Sequence, residues 1–332
     1  MRSVARRAGV SSATVSRVIN GSSVVTEETA RHVRQVIAEL NFIPNPIATM
    51  LKYGRSKTYG LIIPDLTNPF FPEFMLDFEQ VLVETDHELL LATTQSSESK
   101  LIDSVRRMIS RRVDGVVLMA SEFDTRSIEP LFNHQVPIVT IDRRHAEPGA
   151  GDVAIDFEDG FCQAVVHLKQ LGHRRIGFIG GNRGLRTSEI RLEAFQQALQ
   201  HAGLRYFPKL ARPGDYRVSG GKEAMSSLLL EPNRPTAVLT ANDLTAFGAL
   251  KALHAAGLSA PSGMSVVGCD GIMLSDAMQP ALTTISISRR DMADACLKAL
   301  DHMKANLNKS GPLLSVGGTL IVRESTAPPA RP

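Results

Sequence analysis

Several polar side chains stand directly behind short apolar runs of the chain. Asp65 follows YGLIIP, Asp142 and Arg143 follow PIVTI, Asn242 and Asp243 follow TAVLTA, and Asp270 follows SVVGC. Asn68-Pro69-Phe70-Phe71 comes shortly after Asp65, and Ser188 and Arg191 come shortly after RIGFIGG. Carboxylates and an amide can accept or bridge hydroxyl protons. An arginine offers a planar fork of donors, and an aromatic ring can cover the apolar face of a pyranose. Together these residues have the chemistry of a pocket for a polyhydroxylated small molecule. Each also has a plain structural alternative. Phe70 and Phe71 could be core, and Asp142 and Asp243 could cap helices. Arg191 could pair with Glu193 or Asp215, and Asp270 before Gly271 could cap a turn.

The motifs of catalysis do not appear. GFIGGNRG (177–184) is glycine-rich, but its glycines do not fall as G-x-G-x-x-G. The chain has no Walker A sequence, no H-E-x-x-H and no nucleophile elbow. Its nine histidines are scattered, and His173 in LGHRRIGF precedes a strand-like run, which suits a structural role. Cys162, Cys269 and Cys296 lack metal-ligand spacing and read as buried thiols of a reducing compartment. These features predict a binding protein without a cofactor or metal, not an enzyme.

The apolar runs must position the candidate residues. YGLIIPD, ELLLATT, GVVLMA and PIVTID are short and rich in Val, Ile and Leu, as buried parallel strands are. Between them 71–85, 99–111 and 125–134 fit helices. A helix at 159–171 leads to a second series, RIGFIGG, TAVLTAN, SVVGCD and TTISIS, again with helices between. This predicts an α/β body of two doubly wound parallel-sheet subdomains, roughly 58–157 and 158–285. GTLIVREST is expected to close the sheet, and residues 327–332 to form a disordered tail. Ligands of such folds bind at the carboxyl ends of strands, where the candidate residues lie.

The first 57 residues differ in character. They hold nine Lys/Arg against three Asp/Glu, whereas the remainder holds 28 against 31. A basic head on a mildly acidic body suits a polyanionic partner. Val4, Ala5 and Ala8 share a helix face, Gly9 permits a sharp turn, and Ser11 can cap a second helix. Val15, Val18 and Ile19 would face inward there, leaving Ser12, Ala13, Ser16 and Arg17 outward. Asn20-Gly21 suits its end. Thr26 can cap a third helix with Val33, Val36, Ile37 and Leu40 as its stripe. This is a helix-turn-helix pattern, whose second helix enters the DNA major groove. Ala13 could meet a thymine methyl, and Arg17 could reach guanine O6 and N7.

VARRAGVSSATVSRVIN followed by FIPNPIATMLKYGRSKT resembles the DNA-binding head of the lactose/galactose repressor (LacI/GalR) family. The resemblance implies a ligand-responsive transcriptional repressor with a periplasmic-binding-protein-like body and three crossings between its subdomains. It implies base-reading positions at Ser12, Ala13 and Arg17. It also implies an effector pocket with Phe70 and Phe71 stacking, Arg191 as clamp, Asn242 and Asp270 on hydroxyls, and Tyr216 as a further aromatic. Arg289 departs from the pattern, falling where the lactose repressor has an aromatic residue.

The expected organisation is a helix-turn-helix domain at 1–43, a hinge helix and linker at 44–57, and the effector-binding body at 58–326. In the hinge Asn45 can cap, Pro46 fits the first helical position, and Ala48 joins the DNA contacts. So short a helix is marginal alone, so it is expected to fold on DNA. The resemblance makes Leu51 a minor-groove wedge. The expected partners are a palindromic double-stranded operator, a second copy of the chain in a homodimer, and a sugar or sugar-acid effector. A purine or nucleoside co-repressor is the alternative. No apolar run reaches the ~18 residues of a membrane span, and the N-terminus lacks a secretory signal, which predicts a cytoplasmic protein.

Overall fold

The computed structural model describes residues 1–19, 21, 24–42, 56–119, 125–144, 149–307 and 309–330. It divides into two compact units, Met1–Ser56 and Lys57–Pro332.

The first unit packs three helices, α1 (Arg2–Ala8), α2 (Ser12–Ile19) and α3 (Glu27–Glu39). Gly9 ends α1 at φ +65°, a conformation that costs glycine nothing. Ser11 Oγ accepts from the Thr14 amide at 3.0 Å and so caps α2. Thr26 caps α3 through the Thr29 amide, with Glu27 and Glu28 at its positive end. Val4, Ala5, Ala8, Val15, Val18, Val33 and Val36 form one small core. Leu40, expected in that stripe, is 42% exposed instead, because the helix has ended one residue earlier.

The second unit is a doubly wound α/β body. The first lobe orders its strands β2 (Glu88–Thr93), β1 (Thr58–Ile63), β3 (Gly115–Leu118), β4 (Ile138–Ile141) and β5 (Ala150–Asp156). The second lobe repeats that order with β7 (Ala211–Arg212), β6 (Ile176–Ile179), β8 (Ala237–Thr240), β9 (Ser265–Asp270) and β10 (Thr283–Ile287). The long strand β11 (Leu313–Ile321) joins them. Its residues 313–317 run parallel to β5, and its residues 318–321 run antiparallel to β10.

Helices α4 (Phe70–Glu84), α5 (Glu98–Ser110) and α6 (Glu129–Asn133) follow the strands of the first lobe. In the second, α7 (Phe157–Gln170), α8 (Arg186–His201), α9 (Val218–Leu229), α10 (Asp243–Ala255) and α11 (Leu274–Ala277) do so. After β10 the chain returns, and α12 (Arg289–Ala305) packs on α4 and β5 of the first lobe. The chain thus crosses between lobes near Asp156, near Ser288 and within β11. One face of the sheet carries a core continuous across both lobes, from Phe74 and Phe78 of α4 to Phe161 of α7 and Phe195 of α8. The opposite face carries separate cores.

Strand β5 was absent from the sequence expectations, because AGDVAID has an aspartate within it. Asp152 is nevertheless fully buried, accepting from Thr140 Oγ1 at 2.6 Å and from the Arg143 and Arg144 amides at 3.1 and 2.9 Å. A second correction concerns the tail. Ala327, Pro329 and their neighbours up to 330 are placed against the second lobe. His173 Nε2 lies 2.9 Å from the Ala327 carbonyl, and the Ala327 amide donates to Ser265 Oγ at 3.1 Å. His173 Nδ1 meets Thr236 Oγ1 at 2.9 Å, so one buried ring ties strand ends to the C-terminal segment.

Helices α9 and α10 touch through glycines. A Cβ on Gly221 would lie 2.2 Å from the Thr245 carbonyl oxygen, and one on Gly248 would lie 2.2 Å from that of Val218. Backbone cannot yield as a side chain can. Gly221→Ala is therefore expected to destabilise the body by about 1–3 kcal/mol, read as a lowered urea midpoint at unchanged m-value.

His173 supplies a pH test. Burial, the largest influence, holds its pKa below the usual 6.5. The unfolded chain then binds the proton first, so folding loses stability as pH falls from about 6.5 to the folded value. Wild type minus His173→Asn should show a stability difference that shrinks through that window. A difference constant between pH 7.5 and 5 would contradict it.

Candidate functional site

In the three-helix unit, Ser12, Ala13 and Arg17 of α2 are exposed. Ser16 is not: it is 7% exposed, which corrects its expected outward position. A helix turns about 100° per residue, so Ser16 lies beside the buried Val15 and falls on the packed arc. A small hydroxyl side chain fits there. Arg2, Arg6 and Arg7 are exposed on α1. On α3 Arg31 is exposed, and Arg34 pairs with Glu27 at 3.3 Å. The outer surface is thus basic, with two short side chains and one long cation on α2. Asn20, Asn45, Ala48 and Leu51 lie outside the described residues.

In the body a cavity of about 420 Å³ opens between the lobes at the carboxyl ends of the strands. Of the residues singled out in the sequence, Phe70, Phe71, Asp142, Arg191, Tyr216, Asn242 and Asp270 line it. Asp65 and Asn68 line it too.

Arg191 is its most constrained member. It projects from the second turn of α8 and is 8% exposed. Its guanidinium carbon lies 4.0 Å from the centroid of Phe157 and 5.4 Å from that of Tyr216. Nη1 donates to Thr187, through both the carbonyl oxygen at 3.2 Å and the hydroxyl. Nε is buried and has no hydrogen-bond partner among the described residues. Burial opposes the charge, but Tyr216, Cys269, Asp142 and Asp270 outweigh it and push the pKa further up.

The acids answer this cation from both lobes. Asp142 directly follows β4 of the first lobe at φ +62°, and its Oδ1 accepts from the Ile155 amide at 3.0 Å. Burial raises its pKa, with Arg191 the leading counter-influence. Asp270 ends β9 of the second lobe at φ +112°. Burial, then the neighbouring Asp243, raise its pKa well above the carboxylate range. Arg191, Arg289 and the Asn68 side chain work against that. The Asn68 contact reaches across the cleft, and Asn68 Oδ1 accepts from the Phe70 amide at 3.1 Å. Nearer the mouth, burial works to raise Asp65, but bonds from Thr67 and Asn68 and the charge of Arg217 prevail and lower it.

Two aromatic positions and one amide complete the lining. Phe70 packs edge-on to Phe71 with centroids 5.9 Å apart; Phe70 is 5% exposed and belongs to the core as well, whereas Phe71 is half-buried. The Tyr216 hydroxyl lies 2.9 Å from Ser188 Oγ. Asn242 caps α10 through the Thr245 amide at 2.9 Å and donates from Nδ2 to the Tyr216 carbonyl at 3.0 Å.

Asp243 does not line the cavity, which corrects its expected place there. It is wholly buried, accepting from Thr284 Oγ1 at 2.5 Å, Ser275 Oγ at 2.7 Å and the Ile272 amide at 2.9 Å. Burial raises its pKa to about 6. It braces the loop behind Asp270. Arg217, which does line the cavity, escaped the sequence reading, and Asp215, which lines it too, figured there only as a possible partner of Arg191. They follow β7, whose two residues give no apolar run to mark a strand end.

Comparisons with known proteins agree with this architecture. Residues 1–45 match the family described as bacterial regulatory proteins, lacI family, and residues 165–326 match the periplasmic binding protein-like domain. The ribose operon repressor of Haemophilus influenzae is 32% identical over 98% of this chain and 98% of its own length. The repressor PurR of Actinobacillus pleuropneumoniae is 35% identical over 90% and 89%. Among solved structures, the lac repressor dimer bound to operator and the anti-inducer ONPF superposes with TM-score 0.82 at 27% identity, covering 98% of each chain. The complex of the transcriptional regulator CelR with cellobiose gives 0.74 at 30% identity, over 97% and 98%. The chain belongs to the lacI family of bacterial regulatory proteins, as a DNA-binding transcriptional repressor and not an enzyme.

Proposed function

We propose that the protein acts in the cytoplasm as a homodimer on a roughly palindromic operator, with a neutral sugar in the cleft of each body as its effector. Two heads are needed because one buries too little DNA surface for tight specific binding. In each, α2 enters the major groove with Ser12 and Ala13 close to base edges and Arg17 reaching a guanine. Asn45, Ala48 and Leu51 serve the adjoining minor-groove contact, a reading supported by the family and lying outside the described residues.

One observation carries the effector reading. The cavity is lined by four carboxylates, Asp65, Asp142, Asp215 and Asp270, against two guanidiniums, Arg191 and Arg217. Even with Asp270 protonated, the acids outnumber the bases. An anionic ligand such as a sugar acid would add a charge to a site already negative. A neutral polyol donates its hydroxyl protons to the carboxylates and accepts from the Arg191 guanidinium, while Phe71 or Tyr216 covers a ring face. A purine base carries few N–H donors beside its ring acceptors, so it meets fewer of those carboxylates than a polyol's many hydroxyls do. The ribose operon repressors among the relatives and the cellobiose-bound CelR support a sugar.

Two substitutions test these roles separately. Arg17→Ala should weaken binding to the selected operator by about 1–3 kcal/mol while leaving affinity for random duplex nearly unchanged. Equal losses on both would remove Arg17 from base reading. In a thermal-shift screen of neutral pentoses, hexoses and disaccharides beside sugar acids and nucleosides, Arg191→Ala should abolish the stabilisation given by the wild-type ligand. Its operator affinity without ligand should persist. A surviving shift would contradict the assigned clamp.

A further inference from the structure

Behind the cavity, outside its lining, a second set of contacts joins the lobes. Arg290 of α12 grips Glu84 of α4 with Nη1 and Nη2 at 3.0 and 2.7 Å, so these two helices are bound to each other in the first lobe. From that base Glu73, in the first turn of α4, and Arg289, the first residue of α12, reach the second lobe's loop 270–273. Glu73 Oε1 accepts from the Met273 amide at 3.0 Å. Arg289 Nη1 donates to the carbonyls of Asp270 and Gly271 at 3.2 and 3.3 Å, and Nη2 donates to Gly271 at 3.3 Å. Arg289 Nη2 also lies 3.1 Å from Glu73 Oε2, an ion pair out of line for a hydrogen bond. The two side chains are only 16% and 14% exposed, so solvent screens them little.

We propose that Glu73 and Arg289 form a latch that holds the lobes closed in the effector-free protein and sets how much of it is open. The loop they grip is poorly suited to forming by itself. Asp270 sits at φ +112° and Gly271 at φ +66°, and a Cβ on Gly271 would lie 2.5 Å from Ser286 Oγ. Asp270 points its carboxyl group toward the cavity while its carbonyl is held by Arg289. An occupant of the cleft and the latch therefore act on one residue from opposite sides. The ion pair that does span the cleft among the described residues, Arg217 to Asp65 at 3.9 Å, is a poor substitute, because Arg217 is 60% exposed. Arg289 also stands beside the crossing from β10 into α12, where a change of lobe angle has the shortest lever. That the latch tunes operator release rests on the proposed function above. That it closes the lobes does not.

The test needs no effector. Spin labels on Asp103→Cys of α5 and Glu223→Cys of α9, in a full-length Cys162→Ser background, report the separation of the lobes by double electron–electron resonance. With labelled subunits diluted into an excess of unlabelled ones, so that each dimer carries one label pair, the parent should show one narrow distance. Glu73→Gln and Arg289→Gln should each raise a longer-distance population on the order of tenfold, and the double variant should add little to either. Arg289→Lys, keeping charge but losing the fork, should fall between. Hydrogen exchange of peptides covering 271–276 should quicken in the same variants while that of 265–269 stays unchanged. Distance distributions superimposing on the parent's would overturn the latch. So would faster exchange spreading into β9, which would mark a contact that merely supports the second lobe's core.

Discussion

A guanidinium that keeps its charge under all ordinary conditions is buried between the two lobes, and much of the body is arranged around that fact. Removing an unpaired charge from water costs several kcal/mol even after relaxation. Arg191 is tolerated because its faces meet Phe157 and Tyr216 and because acids approach from both sides, Asp142 from the first lobe and Asp270 from the second. Those acids in turn are costly to bury, which is why their pKa values rise. The balance requires both lobes. Opening the cleft separates Arg191 from the carboxylate of the opposite lobe, and filling it replaces lost hydration with ligand hydroxyls. Charge and conformation are coupled by this geometry, which is what a ligand-controlled repressor needs.

The rest of the fold places those groups. The same strand order in both lobes puts β4 and β9 ends at one crevice. Close glycine contacts between α9 and α10 set the helix starts that carry Asn242 and follow Tyr216. The α12 helix, later in sequence than strands β6 to β10 of the second lobe, belongs to the first, so the crossings near Asp156, near Ser288 and within β11 are the connections about which the lobes can turn. The three-helix head is a separate unit with its own small core. Its outward surface is basic, and its core leaves Ser12, Ala13 and Arg17 of α2 exposed.

Much of this was readable before any coordinates because the signals were periodic or followed a rule of the fold. Parallel strands buried on both faces appear as Val/Ile/Leu runs, and their carboxyl ends mark the crevice, so Asp142, Asn242 and Asp270 could be named from position alone. The readings failed where one residue broke a pattern for a three-dimensional reason. Asp152 hid β5 because its polar partners, Thr140 and two backbone amides, come from a neighbouring strand and loop. Asp243 looked like its neighbour Asn242, yet its helix turns it inward to Thr284 and Ser275. Ser16 was set outward as a residue off the Val15, Val18 and Ile19 stripe, although its place beside Val15 put it on the packed arc. The residues after 326 carry prolines and no apolar periodicity, and only the meeting of His173 and Ser265 with Ala327 reveals where they dock.

The central claim is that a neutral ligand between acids of opposite lobes changes the head's hold on DNA. It is tested most directly by fluorescence anisotropy on a duplex selected from random sequence by the full-length protein, titrated with neutral sugars and their matching aldonic and uronic acids. The account predicts that at least one neutral sugar shifts the duplex affinity by about tenfold or more, a coupling of ordinary allosteric size, and that its acid counterparts do not. A response confined to the acids, or a duplex affinity indifferent to every compound, would contradict it.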